Sequence, residues 1–186
     1  QSRDLAARNP AKLTELKALF DKEAARNLVL PLANMMPQQG LPSLAQGRAS
    51  MTFEQGARAL PESALPRTAG QSWSMTADLT VAQGAQGVVA AVGGEPGGWS
   101  VYLRPDGTPA LTYRLFNLAT VYLADTAPLS PGRHRLRFDF DNHGGYGKPG
   151  TIRLFVDDRP SGSQDLPASP IGSFALDDGF SVGVDT

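Results

Sequence analysis

The 186-residue sequence contains no cysteine. That excludes disulfides, thiolate metal sites and a cysteine nucleophile, but it does not fix the compartment. Histidine is nearly absent as well: only His134 and His143 occur, so a His-rich metal site cannot form within this chain. Charge of one sign is lacking. The formal net charge is -1 at pH 7, and no single-sign run stands out, so nothing draws nucleic acid or an acidic membrane surface. No stretch approaches the roughly 20 apolar residues of a membrane span, and no signal-peptide layout is visible. No G-x-S-x-G elbow is present for a serine triad. The phosphate-loop order is missing too, since Lys148 is followed by Pro149.

What is present suits a globular domain rich in turns. Hydrophobic residues make up 41% and charged residues 19%, enough to bury a core, while 20 Gly and 15 Pro argue against a mainly helical fold. Asn9-Pro10 is a helix start, with Asn as cap and Pro at the first helical position. Leu13, Leu16, Leu19, Phe20 and Ala24 then recur at three- and four-residue spacing, and Asn27 is a stop. The spacing predicts an amphipathic helix over Pro10–Arg26 that must lie on something, because an isolated helix of this length is marginal in water. Residues 28–32 are apolar but contain Pro31, so they read as an edge strand at most. "ANMMPQQGLPSLAQGRAS" has no period and reads as a linker or long loop. The expected division is 1–32, a linker at 33–48, and a domain at 49–186.

Beyond Ser50 the hydrophobic period becomes two. "QSWSMTADLTV" sets Trp73, Met75, Ala77, Leu79 and Val81 on one face. "GVVAAVGG" is a short buried run, and "GWSVYLRPDGTPALTYRL" is a hairpin turning at Pro105-Asp106-Gly107. "ATVYLAD", "RHRLRFDFD", "GTIRLFVDD" and "FSVGV" follow as strands. In "RHRLRFDFD" the residues Leu136, Phe138 and Phe140 point inward, as do Ile152, Leu154 and Val156 in the next strand. Strands at about ten-residue spacing, each with one wet face, predict an antiparallel β-sandwich of jelly-roll type.

The loop "DFDNHGGYGKPG" gathers Asp139, Asp141, Asn142, His143, Tyr146 and Lys148 around four glycines. Hard oxygen ligands there would suit Ca²⁺, and Tyr146 would suit a sugar-stacking loop, so Asn142, His143, Tyr146 and Lys148 form the candidate ligand or interface loop. The plainer reading is a Gly-rich connection between two strands. His134, on an inward phase, reads as a satisfied core or edge imidazole, and His143 as a solvated loop residue. Asp157-Asp158 and Asp177-Asp178 sit at strand ends and read as turns, although paired glycosidase carboxylates remain an alternative. Tyr102 and Tyr122 fall on outward phases and could line a sugar groove, while Arg114 and Arg153 read as a solvated sheet face.

"SRDLAARNPAKLTELKALFDKEAARNLVLPL" closely resembles the end of the catalytic domain of bacterial arylsulfatases, the formylglycine-dependent sulfatases. "GGWSVYLRPDGTPALTYRLFNL", "PLSPGRHRLRFDFDNHGGYGKPGTIRLFVDD" and "FALDDGFSVGVDT" resemble the C-terminal region of the same family, in the same order. The resemblance covers essentially the whole chain. It implies a non-catalytic C-terminal β-sandwich, concanavalin- or laminin-G-like, behind a missing catalytic domain that would precede Gln1. The family's C-x-P-S-R or S-x-P-S-R motif has no counterpart, because Ser63-Ala64-Leu65-Pro66-Arg67 has Pro and Arg out of register. Formylglycine, a divalent cation such as Ca²⁺ and every catalytic residue would therefore lie upstream, with no cofactor in this chain. The resemblance implies one more strand after this sequence, so an open sheet edge and self-association through it are expected. A carbohydrate-binding module for sulfated glycans and an oligomerisation domain are the alternatives to a supporting domain. Alternation buries Trp99 and Tyr113, which counts against a sugar platform built from them.

Overall fold

The computed structural model describes residues 4–27, 29, 43–94, 97–174 and 178–184. The chain divides into two compact units, Gln1–Pro42 and Ser43–Thr186. In the first, a 3-10 turn at Ala6–Arg8 leads into helix α1, Pro10–Arg26, over the range the spacing predicts. Asn9 does not cap it. Its side-chain amide turns back and donates to the Leu5 carbonyl at 3.1 Å, because the preceding 3-10 turn brings that acceptor within reach. Along the apolar stripe Ala24 is buried, but Leu16, Leu19 and Phe20 remain about half exposed. The edge strand expected at 28–32 and the linker expected at 33–48 lie outside the described residues, apart from Val29 and residues 43–48. No helix among the described residues is long and apolar enough to cross a membrane.

The second unit is an antiparallel β-sandwich. Its strands are β1 (Trp73–Val81), β2 (Gly87–Gly93), β3 (Gly98–Leu103), β4 (Pro109–Leu115), β5 (Ala119–Ala124), β6 (Gly132–Asn142), β7 (Gly150–Val156), β8 (Arg159–Leu166) and β9 (Phe180–Val182). One sheet runs β1-β6-β7-β8 and the other β5-β4-β3-β2-β9, so the chain crosses between sheets after β1, β5 and β8. Eight of these strands coincide with the runs marked in the sequence. The chain has one strand more than those runs mark: β8, "RPSGSQDL", has no apolar alternation and contains Pro and Gly. It forms because the Asp157-Asp158 turn, with both residues in left-handed backbone (φ 50 and 63), folds it back on β7.

Alternation puts one row of each strand inside. Leu136, Phe138 and Phe140 are buried on β6, and Ile152, Leu154 and Val156 on β7. Facing them are Trp99, Val101, Leu111 and Tyr113. The centre is aromatic: the Phe138 ring meets Trp73 edge-on at 4.8 Å and Trp99 at 5.5 Å, and Tyr113 stacks on Phe140 at 5.9 Å. Burial pushes the Tyr113 phenol well above its ordinary pKa, with Glu62 adding to the shift.

The two long sides of the sandwich close differently. On one side Arg159 of β8 reaches Asp125, just past β5, at 2.6 Å. The Asp125 side chain is only 2% exposed. Burial raises its pKa, but hydrogen bonds from Arg159 and the Thr126 amide outweigh burial and hold it below the usual carboxylate range. At the other end of the five-stranded sheet, the chain at 56–60 lies along β9. Leu60 and Phe180 exchange both backbone hydrogen bonds, and Val182 bonds Gly56 and Ala57. The edge left by the last strand is therefore paired, not open as the sequence led us to expect.

Candidate functional site

The Asn142–Pro149 loop is self-satisfied. Asn142 Oδ1 accepts from the Gly144 and Gly145 amides, and its Nδ2 donates to the Gly145 carbonyl at 3.1 Å. The same carbonyl accepts from Ser169 Oγ at 2.8 Å. Thr151 donates to Asp165 at 2.7 Å and so accepts from His143 Nε2 at 3.3 Å. The Tyr146 ring lies over Gly70, where a Cβ would come within 3.0 Å of it, and the Arg67 guanidinium sits 5.1 Å from its centroid. Lys148 is exposed. The loop thus brings Asn142, His143, Tyr146 and Lys148 together, but it uses the amide, the imidazole and the Tyr ring to hold itself against 67–72, β7 and 169–171. Of its acidic residues Asp141 is hydrogen-bonded, whereas Asp139 Oδ1 and the Arg137 Nε it faces are buried without a hydrogen-bond partner. Asp141 accepts from Ser72 at 3.1 Å and Arg153 at 3.4 Å, and Asp139 faces Arg137 at 3.4 Å. Among the described residues no group of three or more His, Asp or Glu could hold a metal ion, and these carboxylates do not fit a Ca²⁺ site.

The same pairing runs along the whole outer face of the four-stranded sheet. Arg135 grips Asp78 with two hydrogen bonds at 2.7 and 3.1 Å, and Arg137 lies 4.0 Å over the Phe155 ring. The Arg135 hydrogen bonds hold Asp78 below the ordinary carboxylate pKa. At one end an open hollow of about 580 Å³ is lined by Asp78, His134, Arg135 and Asp157. His134 is not a free base there. Its Nδ1 is 2.7 Å from Asp157 Oδ2 and its Nε2 is 2.8 Å from the Ser130 carbonyl. Both neighbours are acceptors, so both ring nitrogens donate and the imidazolium is favoured, raising its pKa. Asp157 also accepts from the Arg135 amide at 2.8 Å, and the two bonds lower its pKa. Asp157 and Asp158 are turn residues committed to the fold, which removes them as a glycosidase pair; Asp177 lies outside the described residues.

The outer face of the five-stranded sheet has a different chemistry. Its outward positions on β3, β4 and β5 are Ser100 and Tyr102, then Ala110, Thr112 and Arg114, then Thr120 and Tyr122. None of these carries a carboxylate, and hydroxyls dominate. Tyr102 pairs with Ala110, yet its hydroxyl lies 3.2 Å from Thr112 Oγ1, two residues further along β4. The Tyr102 ring therefore leans across β4, and Ala110 is fully buried beneath this face. Thr112 pairs on its other side with Tyr122, whose ring is 51% exposed. The two tyrosines thus flank one threonine, forming a shelf of aromatic surface edged by Ser100, Thr112 and Thr120. Sequence alternation marked both tyrosines as outward. It could not show that they adjoin, because that depends on the β3-β4-β5 register. Trp99 and Tyr113 are 7% and 1% exposed, so they take no part.

Comparison with family models and with curated proteins gave no match. Among solved structures, the CBM40 of Ruminococcus gnavus IT-sialidase bound to α2,3-sialyllactose is similar at 13% identity and a TM-score of 0.43, over 62% of this chain and 74% of that one. The native heptameric SAP-like pentraxin from Limulus polyphemus is similar at 13% identity and a TM-score of 0.38, over 61% and 60%. Similarity at this distance assigns no function.

Proposed function

We propose that the sandwich is a non-catalytic glycan-binding module whose ligand lies on the Tyr102–Tyr122 shelf. One observation carries the reading: two outward tyrosines adjoin across Thr112 on a face built of hydroxyls and small residues. A sugar ring offers apolar C–H faces and a rim of hydroxyls. Aromatic side chains pack against the first, and Ser, Thr and Tyr hydroxyls both donate to and accept from the second. The outer face of the opposite sheet is charged instead, with Asp78 paired to Arg135 and Asp141 to Arg153. The resemblance of the chain to the C-terminal region of arylsulfatases extends this proposal. It would place the module behind a sulfatase catalytic domain, holding a sulfated glycan near it, while this chain itself performs no chemistry.

Affinity electrophoresis of the whole chain through gels carrying neutral or sulfated polysaccharides tests the reading. Retardation by at least one polysaccharide is expected, weakened about fivefold in Tyr122→Ala, since one aromatic contact contributes on the order of 1 kcal/mol. Migration unaffected by every polysaccharide, or retardation unchanged in both Tyr122→Ala and Tyr102→Ala, would refute it. Retardation confined to sulfated polysaccharides would support the sulfatase extension, and retardation by neutral ones alone would remove it.

A further inference from the structure

The four ends of the two sheets are not equally protected. The backbone of β9 is paired by 56–60. The β8 edge carries Pro160 and a register shift opposite Leu154/Phe155, both of which disrupt further pairing. Strand β5 is only six residues long and ends beside the Arg159–Asp125 bridge. Strand β1 has none of these devices. It is nine residues long without Pro, Gly or bulge, it terminates its sheet, and among the described residues no backbone hydrogen bond reaches its far side. Its inner row is also under-buried. Trp73, Met75, Ala77 and Leu79 are only partly covered, whereas their β6 neighbours Leu136, Phe138 and Phe140 are fully or almost fully buried.

We propose that β1 is a self-association edge, pairing antiparallel with β1 of a second copy about a two-fold axis at Ala77. Register limits the choice. Directly opposed residues point to the same face, so only registers that set odd positions against odd keep both inner rows on one side. Centring on Ala77 pairs all nine residues: Trp73 with Val81, Ser74 with Thr80, Met75 with Leu79 and Thr76 with Asp78 of the other copy. Every apolar residue meets an apolar one, and the single charge meets a hydroxyl. Centring on Asp78 would oppose the two Asp78 carboxylates, and centring on Thr76 or Met75 would leave residues unpaired. The occupant is therefore a second copy, because the strand is complementary to itself.

Thr76 makes the proposal testable. Within one copy Thr76 sits opposite Arg137, while across the proposed interface it sits opposite Asp78. Thr76→Asp should thus preserve or raise the unfolding midpoint of the subunit, yet place like charges face to face twice per dimer. Sedimentation velocity of the full chain across a concentration series should show a monomer–dimer equilibrium, weakened about tenfold by Thr76→Asp and tightened by Thr76→Arg. A wild-type chain monomeric throughout would overturn the proposal. So would a dimer whose dissociation constant ignores both substitutions.

Discussion

Phe138→Ala is the sharpest test of the core. Phe138 is fully buried, and its ring centroid lies 4.8 Å from Trp73, 5.5 Å from Trp99 and 6.3 Å from Tyr113, each at a steep interplanar angle. Truncation removes the ring from both sheets at once. The neighbours are themselves large rings held by β1, β3 and β4, so they fill little of the space. A loss near the upper end of the usual range, about 4 kcal/mol, follows. That is a large share of the roughly 5–15 kcal/mol of a typical domain. With a urea slope of about 2 kcal/mol per molar, the midpoint should fall by about 2 M with the slope unchanged. Phe138→Leu should cost under about 1.5 kcal/mol more than a conservative swap elsewhere in the core. A double-mutant cycle with Trp99→Leu, whose ring on the opposite sheet lies 5.5 Å from Phe138, should show a coupling of about 1 kcal/mol. A loss below about 1.5 kcal/mol for the alanine variant, or a cycle that closes to zero, would refute the idea that this aromatic cluster joins the sheets. Because Phe138 faces away from Tyr102 and Tyr122, the protein that remains folded should bind the same glycan with unchanged affinity.

Three further outcomes follow from named contacts. Asp125→Asn should cost about 2 kcal/mol in a thermal melt, less than for a fully buried pair because Arg159 is 57% exposed; an unchanged melt would show that the Arg159–Asp125 bridge does not clasp the sandwich. Gly98→Ala should prevent the β2–β3 hairpin from forming normally, since a Cβ there would drive into the Val92 carbonyl oxygen at a positive φ of 153; a soluble variant with wild-type near-ultraviolet dichroism would contradict this. The His134–Asp157 pair gives a pH signature. The raised His134 value contributes stability that is complete below its ordinary 6.5 and is lost as pH rises through the folded value. The lowered Asp157 value contributes stability that is complete above its ordinary 3.8 and is lost as pH falls through the folded value. The contribution of the pair should therefore be largest between about 4 and 6.5 and decline toward pH 8.5. Urea titrations at pH 5.5 and 8.5 should show that decline in wild type and a smaller one in Asp157→Asn; identical slopes would remove the pair from the account.

Local pattern reached far in this chain. The rows Leu136-Phe138-Phe140 and Ile152-Leu154-Val156 are buried where alternation put them, and Pro105-Asp106-Gly107 turns between β3 and β4. The failures were of two kinds. Strand β8 was invisible because an edge strand with a bulge needs no apolar row; Ser161, Gly162 and Ser163 are set by the turn before them and by β7. Asn9 failed as a cap because its side-chain amide turned back to donate to the Leu5 carbonyl, and its side chain makes no hydrogen bond to the helix amides. The candidate surface was half legible. Phase placed Tyr102 and Tyr122 outside, but their adjacency at Thr112, the pinning of Tyr146 on Gly70 and the closing of the β9 edge by 56–60 all join residues far apart in sequence. No window of single-chain periodicity contains them.

The central claim is that ligand lies on the outer face of the five-stranded sheet, and chemical-shift mapping tests it most directly. An isotope-labelled sample titrated with a polysaccharide-derived oligosaccharide should shift amides of Ser100–Tyr102, Ala110–Arg114 and Thr120–Tyr122, leaving 139–150 and β7 unmoved. Shifts concentrated in Asn142–Lys148 would move the site to the loop, and no shifts with any neutral or sulfated oligosaccharide would contradict the account.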